Sequence, residues 1–451
     1  LNGTTSVTET LGITAGTGNV VFTGIVGGGS KELGAVTITS AGNVTADLAF
    51  TAASLTQTAG AGTTTFTGAV TTTGKAETAG GAVNIAETVG NISFATITTN
   101  GGTSTGIGRA GGAITLHSTE GTIAVTGTIS TIGSAAATNN VGGAGGNVTL
   151  TTDGTDTITA AAITTSGGAG YLAGNGGVAG AISITSTGTT TTLNGDITTV
   201  GGTAGASGAD QGVGGSVTFN SATVLGDGIT IDTGATAGTV TFASTLNGTT
   251  SVTETLGITA GTGDIDFDAS IGTTTAPGTI TITSAANVTA DSTINVKGIA
   301  QSAGTGTTTF QGAITTSGTT GIVIVIDTVD IVINDTITIA GSAIYLYSDN
   351  SITITEDLTV NGNFLLYSYG SLATEAITVN SMIMYALDGD ATIAGDLTMT
   401  GSLVLLSLGN INTASNITAT SYIQIASLET VLTGNIISSG SNVGISANDR
   451  S

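Results

Sequence analysis

The chain has 451 residues, 73 of them Gly, with one Pro, no Cys and no Trp, and 29 acidic side chains against five bases (Lys31, Lys75, Lys297, Arg109, Arg450) give a net charge of −24. Nucleic-acid binding is excluded by that balance, because phosphate contacts need clustered Lys and Arg. No uninterrupted apolar run is long enough to span a bilayer, and the absence of cysteine fits a protein that works outside the cell without disulfides.

Residues 1–18 read LNGTTSVTETLGITAGTG, and residues 246–263 read the same, letter for letter. The duplication continues past this core: 35–47 (AVTITSAGNVTAD) returns as 279–291 (TITITSAANVTAD), and 63–74 (TTTFTGAVTTTG) as 307–318 (TTTFQGAITTSG). A long duplication in a Gly/Thr-rich chain predicts a repeat architecture. Such a body is quasi-linear, each repeat touching mainly its neighbours. Short alternating runs predict strands: Val36 to Thr39, Ile114 to Leu116, Val148 to Leu150, Ile182 to Ile184 and Val217 to Phe219. One face of each is apolar and the other Thr or Ser, at period two. Branched residues fit a pleated surface, Gly or Asn-Gly separates the runs, and no sustained 3.6-residue pattern predicts a helix.

A shorter repeat occupies roughly 75–220. Its anchor is a Gly pair or Ala-Gly, then a small residue, then a strand; it starts at Gly80, Gly111, Gly145, Ala179 and Gly214, at spacings of 31, 34, 34 and 35 residues. If one coil takes about 20 residues, the excess leaves the same corner each time, in the Gly/Ala/Ser segments 101–112, 133–146, 167–180 and 201–215. Repeated insertions on one face of a solenoid are often its binding face; the alternative is a set of flexible Gly-rich spacers. From about residue 341 the period tightens to about 20, in coils 341–362, 363–381, 382–401, 402–421 and 422–440, opening with AIYLYS, FLLYS, MIMYA, LVLLS and YIQIAS. Six of the seven Tyr lie there and read as core stacks, or as a lateral contact if exposed.

Three short strands and three turns fit a 20-residue coil, and stacked coils pair strand on strand at about 4.8 Å. The predicted fold is all-β, a right-handed parallel β-helix, with residues 1–320 carrying the duplication and the Gly-rich insertions and residues 321–451 forming regular coils. Terminal coils of a solenoid expose unpaired strand edges. Leu1, Val7 and Leu11 at one end and Ile436 and Ile445 at the other are therefore the candidate assembly residues. Their partner is another copy stacked head-to-tail, as in a heterologous interface, or the continuation of a longer parent chain.

The phrases at 245–267 (TLNGTTSVTETLGITAGTGDIDF), 303–318 (AGTGTTTFQGAITTSG) and 111–130 (GGAITLHSTEGTIAVTGTIS) resemble the large repetitive bacterial exoproteins of the filamentous-haemagglutinin and autotransporter-adhesin type. The resemblance covers nearly the whole chain. It implies a secreted β-helix used in adhesion, biofilm or cell-surface fibres. This chain departs from the family in lacking a recognisable secretion domain, membrane barrel or receptor-binding head.

Little in the sequence points to chemistry. Asp264, Asp266 and Asp268 alternate with Ile265 and Phe267, so all three carboxylates face out together; Ca²⁺, which takes six to eight oxygens, would relieve their repulsion, and a solvated acidic face is the plainer reading. His117 is the only histidine and reads as a surface or turn residue. The threonine runs 63–65, 189–192 and 307–309 read as outward surface strands. The expectation is a non-enzymatic extracellular fibre, filament or sheath protein, with an adhesin stalk binding surface glycans through its Gly-rich loops as the alternative.

Overall fold

The computed structural model describes the chain except residues 207–208, 319–321, 342, 414, 428, 433–434, 439–441 and 448–451. Among the described residues there are strands and turns and no helix. The strands pair in parallel along successive coils, and the fold is a parallel β-helix. Two compact units divide it: Leu1–Ser244 with Thr259–Gly263, and Thr245–Ile258 with Asp264–Ser451.

In the first unit each coil lays down three strands in turn, as in Ile114–Ser118, Ile123–Val125 and Ile129–Ser130. Each pairs with its equivalent in the next coil: Ile114 with Val148, Ile123 with Ile158, and Ile129 with Ile163. The period-two pattern sends every second side chain inward. Ile114, Leu116, Ile123 and Val125 are fully buried, while Thr115 and Ala124 face out. Like residues stack on like along the axis. Phe22, Ala46, Phe66 and Phe94 occupy one column; Phe66 stacks on Phe94 with ring centroids 4.9 Å apart, and Phe50, from a different strand, packs edge-on against Phe22 and Phe66 at 5.5 Å from each.

Polar ladders hold the corners. Asn19 Oδ1 accepts the Asn43 N–H at 2.9 Å, and Asn43 Oδ1 accepts the Thr63 N–H at 2.8 Å. In the second unit Asp264 Oδ1 accepts from Asn287 N at 3.0 Å and Asn287 Oδ1 from Thr307 N at 2.9 Å. Each ladder satisfies a backbone donor that turns away from the strand pairing. The threonine runs differ from expectation. Their outer members face solvent, but Thr64, Thr191 and Thr308 point inward and are completely buried. Paired hydroxyls make this tolerable: Thr64 donates to Gln57 Oε1 at 2.9 Å, Thr308 to Gln301 Oε1 at 2.8 Å, and Thr191 meets Ser221 at 3.0 Å.

Nor are the Gly-rich segments loose. Gly142 N donates to Asn175 O and Gly145 N to Val178 O, both in the next insertion. Gly143 N instead donates to Ser134 O and Gly146 N to Thr131 O, across the same insertion. Donors therefore point alternately in two directions with a period of three, the periodicity of an extended threefold chain. The pattern recurs one insertion later, with Gly176 N to Asp210 O and Gly177 N to Gly168 O. At the base, Thr99, Thr131, Thr165 and Thr199 are fully buried and donate to the carbonyls of Gly112, Gly146, Gly180 and Gly215 at 2.5–2.7 Å. Packing is so close that a Cβ on Gly143 would stand 2.1 Å from the Arg109 carbonyl oxygen, and one on Gly168 1.9 Å from that of Ser134. Only glycine permits this approach.

The second unit has shorter coils and longer strands. Ala343–Ile354, Leu358–Ser368 and Ile377–Ala386 run through corners, as Phe50–Gln57 does in the first unit. Their register is regular: Ile344 lies beside Phe364, which lies beside Met382, and Met382 beside Leu403, all buried.

Candidate functional site

The two copies of the duplicated stretch adopt the same local structure. Val7 and Val252 both have positive φ, at 55° and 58°. Glu9 accepts the Thr5 N–H at 3.1 Å, and Glu254 accepts the Thr250 N–H at 3.1 Å. Hydrogen bonds from the Thr4 hydroxyl and the Thr5 backbone hold the Glu9 carboxyl below its ordinary pKa. Burial raises that of Glu254, but the Thr249 and Thr250 bonds outweigh it and the net direction is again down. The likeness extends beyond the identical letters. Gly27 N donates to Leu1 O and Gly272 N to Leu246 O, both at 2.7 Å, and both glycines are left-handed, at φ 72° and 73°.

Exposure separates the copies. Leu246 is fully buried and Leu1 is 59% exposed. Asn247, Glu254, Leu256 and Ile258 are buried, whereas Asn2 is exposed and Glu9, Leu11 and Ile13 are half-buried. The strand Leu11–Thr14 pairs with Leu33–Ser40 of the next coil, Leu11 beside Val36 and Ile13 beside Ile38. Bonds from Gly3 N to Lys31 O and Val7 N to Glu32 O run to the same side. Glu32 fastens the 1–9 loop to this second coil, accepting from Ser6 and forming an ion pair with Lys75. The Lys75 ammonium, then the Ser6 hydroxyl, pull the Glu32 pKa down to about 2. The same side chains are thus half-covered at Leu11 and Ile13 and buried at Leu256 and Ile258.

The other expected assembly residues are less uniform. Val7 is 37% exposed, Ile436 half-buried and Ile445 48% exposed. Asp264, Asp266 and Asp268 do share the outward side of their strand. Asp264, however, is committed to Asn287, and among the described residues no three such ligands converge on one point. Partial burial, and then the carboxylates of Asp264, Asp268 and Asp291, push the Asp266 pKa up. His117 stands in a strand, half-buried, with Nε2 2.8 Å from Asp153 Oδ2. At the first insertion, Glu77 binds Arg109 at 2.5 Å and the Thr105 hydroxyl at 2.7 Å, and these, the Arg109 bond foremost, lower its pKa to about 2.

The tyrosines correct the core-stack expectation. Ile344 and Leu346 point in, and Tyr345 and Tyr347 point out. Two outward columns follow from the register. One runs Tyr345, Leu365, Ile383, Val404; the other runs Tyr347, Tyr367, Tyr385, Leu406. Tyr367 lies 6.0 Å from Tyr347, 5.9 Å from Tyr385 and 5.5 Å from Tyr369, with rings tilted or edge-on. The run AIYLYS is apolar at both parities, so periodicity alone leaves its inward face undefined. The more polar Tyr at alternate positions was the available signal.

Compared with family models, curated proteins and solved structures, the chain matches none.

Proposed function

We propose that this protein is a structural, non-enzymatic β-solenoid that builds an extracellular fibre, filament or sheath by axial stacking of its coils. The reading is supported above all by one observation: strands of successive coils pair in parallel and in register with like residues stacked on like, as Ile114 beside Val148 and Val148 beside Ile182. Parallel pairing in register supplies the means, since each coil offers the next a row of backbone donors and acceptors. Such a head-to-tail contact does not close on itself and so propagates.

A charge on the open edge tests this. Leu11→Lys leaves Leu256 and the rest of the chain unchanged. Sedimentation velocity of the wild type is expected to give large species that the variant loses, with strand content by circular dichroism retained. Unchanged assembly in the variant would count against the edge.

The adhesin-stalk reading places glycan binding on the insertions. Their glycines are occupied with one another, so such a stalk would use the outer rim, where Ile107, Val141, Tyr171, Leu172, Val178 and Val213 are about half exposed.

A further inference from the structure

In the second unit, the four coils that carry the tyrosine columns treat their faces very differently. The sheet through Ile352, Leu372, Ala391 and Ile411 turns Thr353, Ala373, Thr392 and Asn412 outward. On the sheet through Leu358, Ile377, Leu397 and Ile417, the outward residues are Thr359, Thr378, Thr398 and Thr418. The remaining sheet turns out Tyr, Leu, Ile and Val in two adjacent columns, bordered by Asn363 and Ser381 on one side and by Asp349 at the corner beyond Tyr347 on the other. Tyr369 and Leu408, at its adjoining corner, are 51% and 53% exposed, and Ile383 at its centre is 38% exposed. The face has clear limits. Asp327 precedes Tyr347 in the column, and Gln424 and Ala426 follow Val404 and Leu406. Outward positions on the first unit's sheets are polar, as Thr115, Thr149 and Ser183 on one and Ser130, Thr164 and Thr198 on another.

We infer that this apolar face is a lateral contact site for the same face of a second copy of the chain. Three arguments favour that occupant. A flat sheet with large apolar side chains on its outer side is the inner face of a two-sheet sandwich, and it packs on a like sheet about 10 Å away. A chain of net charge −24 repels its own copies nearly everywhere; the two columns carry no carboxylate over four coils, which is the charge-depleted, Tyr-rich signature of an interface core. The tilted and edge-on rings form a knobbed surface that interdigitates, not a coplanar platform for a sugar face. Size sets the strength. Four rungs at about 4.8 Å and three positions at about 7 Å give a footprint of roughly 400 Å² per copy. A stable dimer needs roughly 800 Å² per partner, so this pairing is weak between single copies. It strengthens at higher salt, which screens the repulsion.

The chain has no native cysteine, so a single introduced thiol reports contact without background. Under mild oxidation at high protein concentration in 0.5 M salt, Ile383→Cys is expected to give covalent dimers. Thr392→Cys, outward on the neighbouring sheet, is expected to stay monomeric on a denaturing gel. Adding Tyr367→Asp to the Ile383→Cys chain should reduce the dimer at least fivefold. Equal cross-linking at 383 and 392, or none at 383, overturns the inference. So does protection of the thiol introduced at position 383 by a soluble polysaccharide and not by added wild-type chain. Axial stacking does not bring position 383 of two copies together, so the outcome is independent of whether the open coil edge assembles.

Discussion

At the scale of single residues, the structure is organised by a few polar side chains placed against backbone. Glu32 illustrates the energetics. Its carboxylate is nearly buried, joined to Lys75 and Ser6, with a pKa lowered to about 2. A carboxyl titrates near 4.3 in an unfolded chain, so this group stabilises the fold above that pH. Its contribution is lost as pH falls from about 4.5 towards 2. Lys75 is half exposed, and solvent screening leaves about 1 kcal/mol. Glu32→Gln is therefore expected to lower the melting temperature at pH 7, with the difference from wild type vanishing near pH 2. A difference that persists at pH 2 would assign the effect to packing. The buried Thr64, Thr191 and Thr308 make a related point about legibility. Threonine is compatible with either face of a strand, and the sequence pattern could not say that Thr64, Thr191 and Thr308 turn inward to a Gln or Ser partner.

At the scale of elements, alternating strands were legible because apolar and polar positions differ sharply. Ile114, Leu116, Val148 and Leu150 all point where their parity places them. The glycine insertions were not legible by that rule, because a segment without side chains has no hydropathy period. Its signal lies in spacing: Gly142, Gly143, Gly145 and Gly146 repeat at three, matching the alternation of their hydrogen bonds. This gives a sharp contrast between neighbouring glycines. Gly143→Ala must displace the Arg109 carbonyl, whereas Gly106 has open space around its Cβ position. The first substitution is expected to cost about 2–4 kcal/mol, in the range of severe core strain, and Gly106→Ala less than about 0.5 kcal/mol. Denaturant unfolding of the two variants checks this; equal and small losses would mean that the insertions are not packed in solution. A similar ambiguity concealed the tyrosine face. In AIYLYS and FLLYS both parities are apolar, so the sequence located the coils without saying which residues they bury.

At the scale of the molecule, the duplicated stretch connects fold to function. Sequence comparison within the chain revealed the repeat, but identical letters carry no information about exposure. Only the structure distinguishes a buried Leu256 from a half-covered Leu11. The axial proposal rests on the parallel, in-register pairing of successive coils, and the lateral face offers a second, weaker direction of contact. Cryo-electron microscopy of the purified chain, over a range of concentrations, tests the axial proposal most directly. It predicts filaments with a rise of about 4.8 Å per coil, in which Leu11 and Ile13 are as covered as Leu256 and Ile258. Separate particles with a bare first coil at every concentration would contradict it.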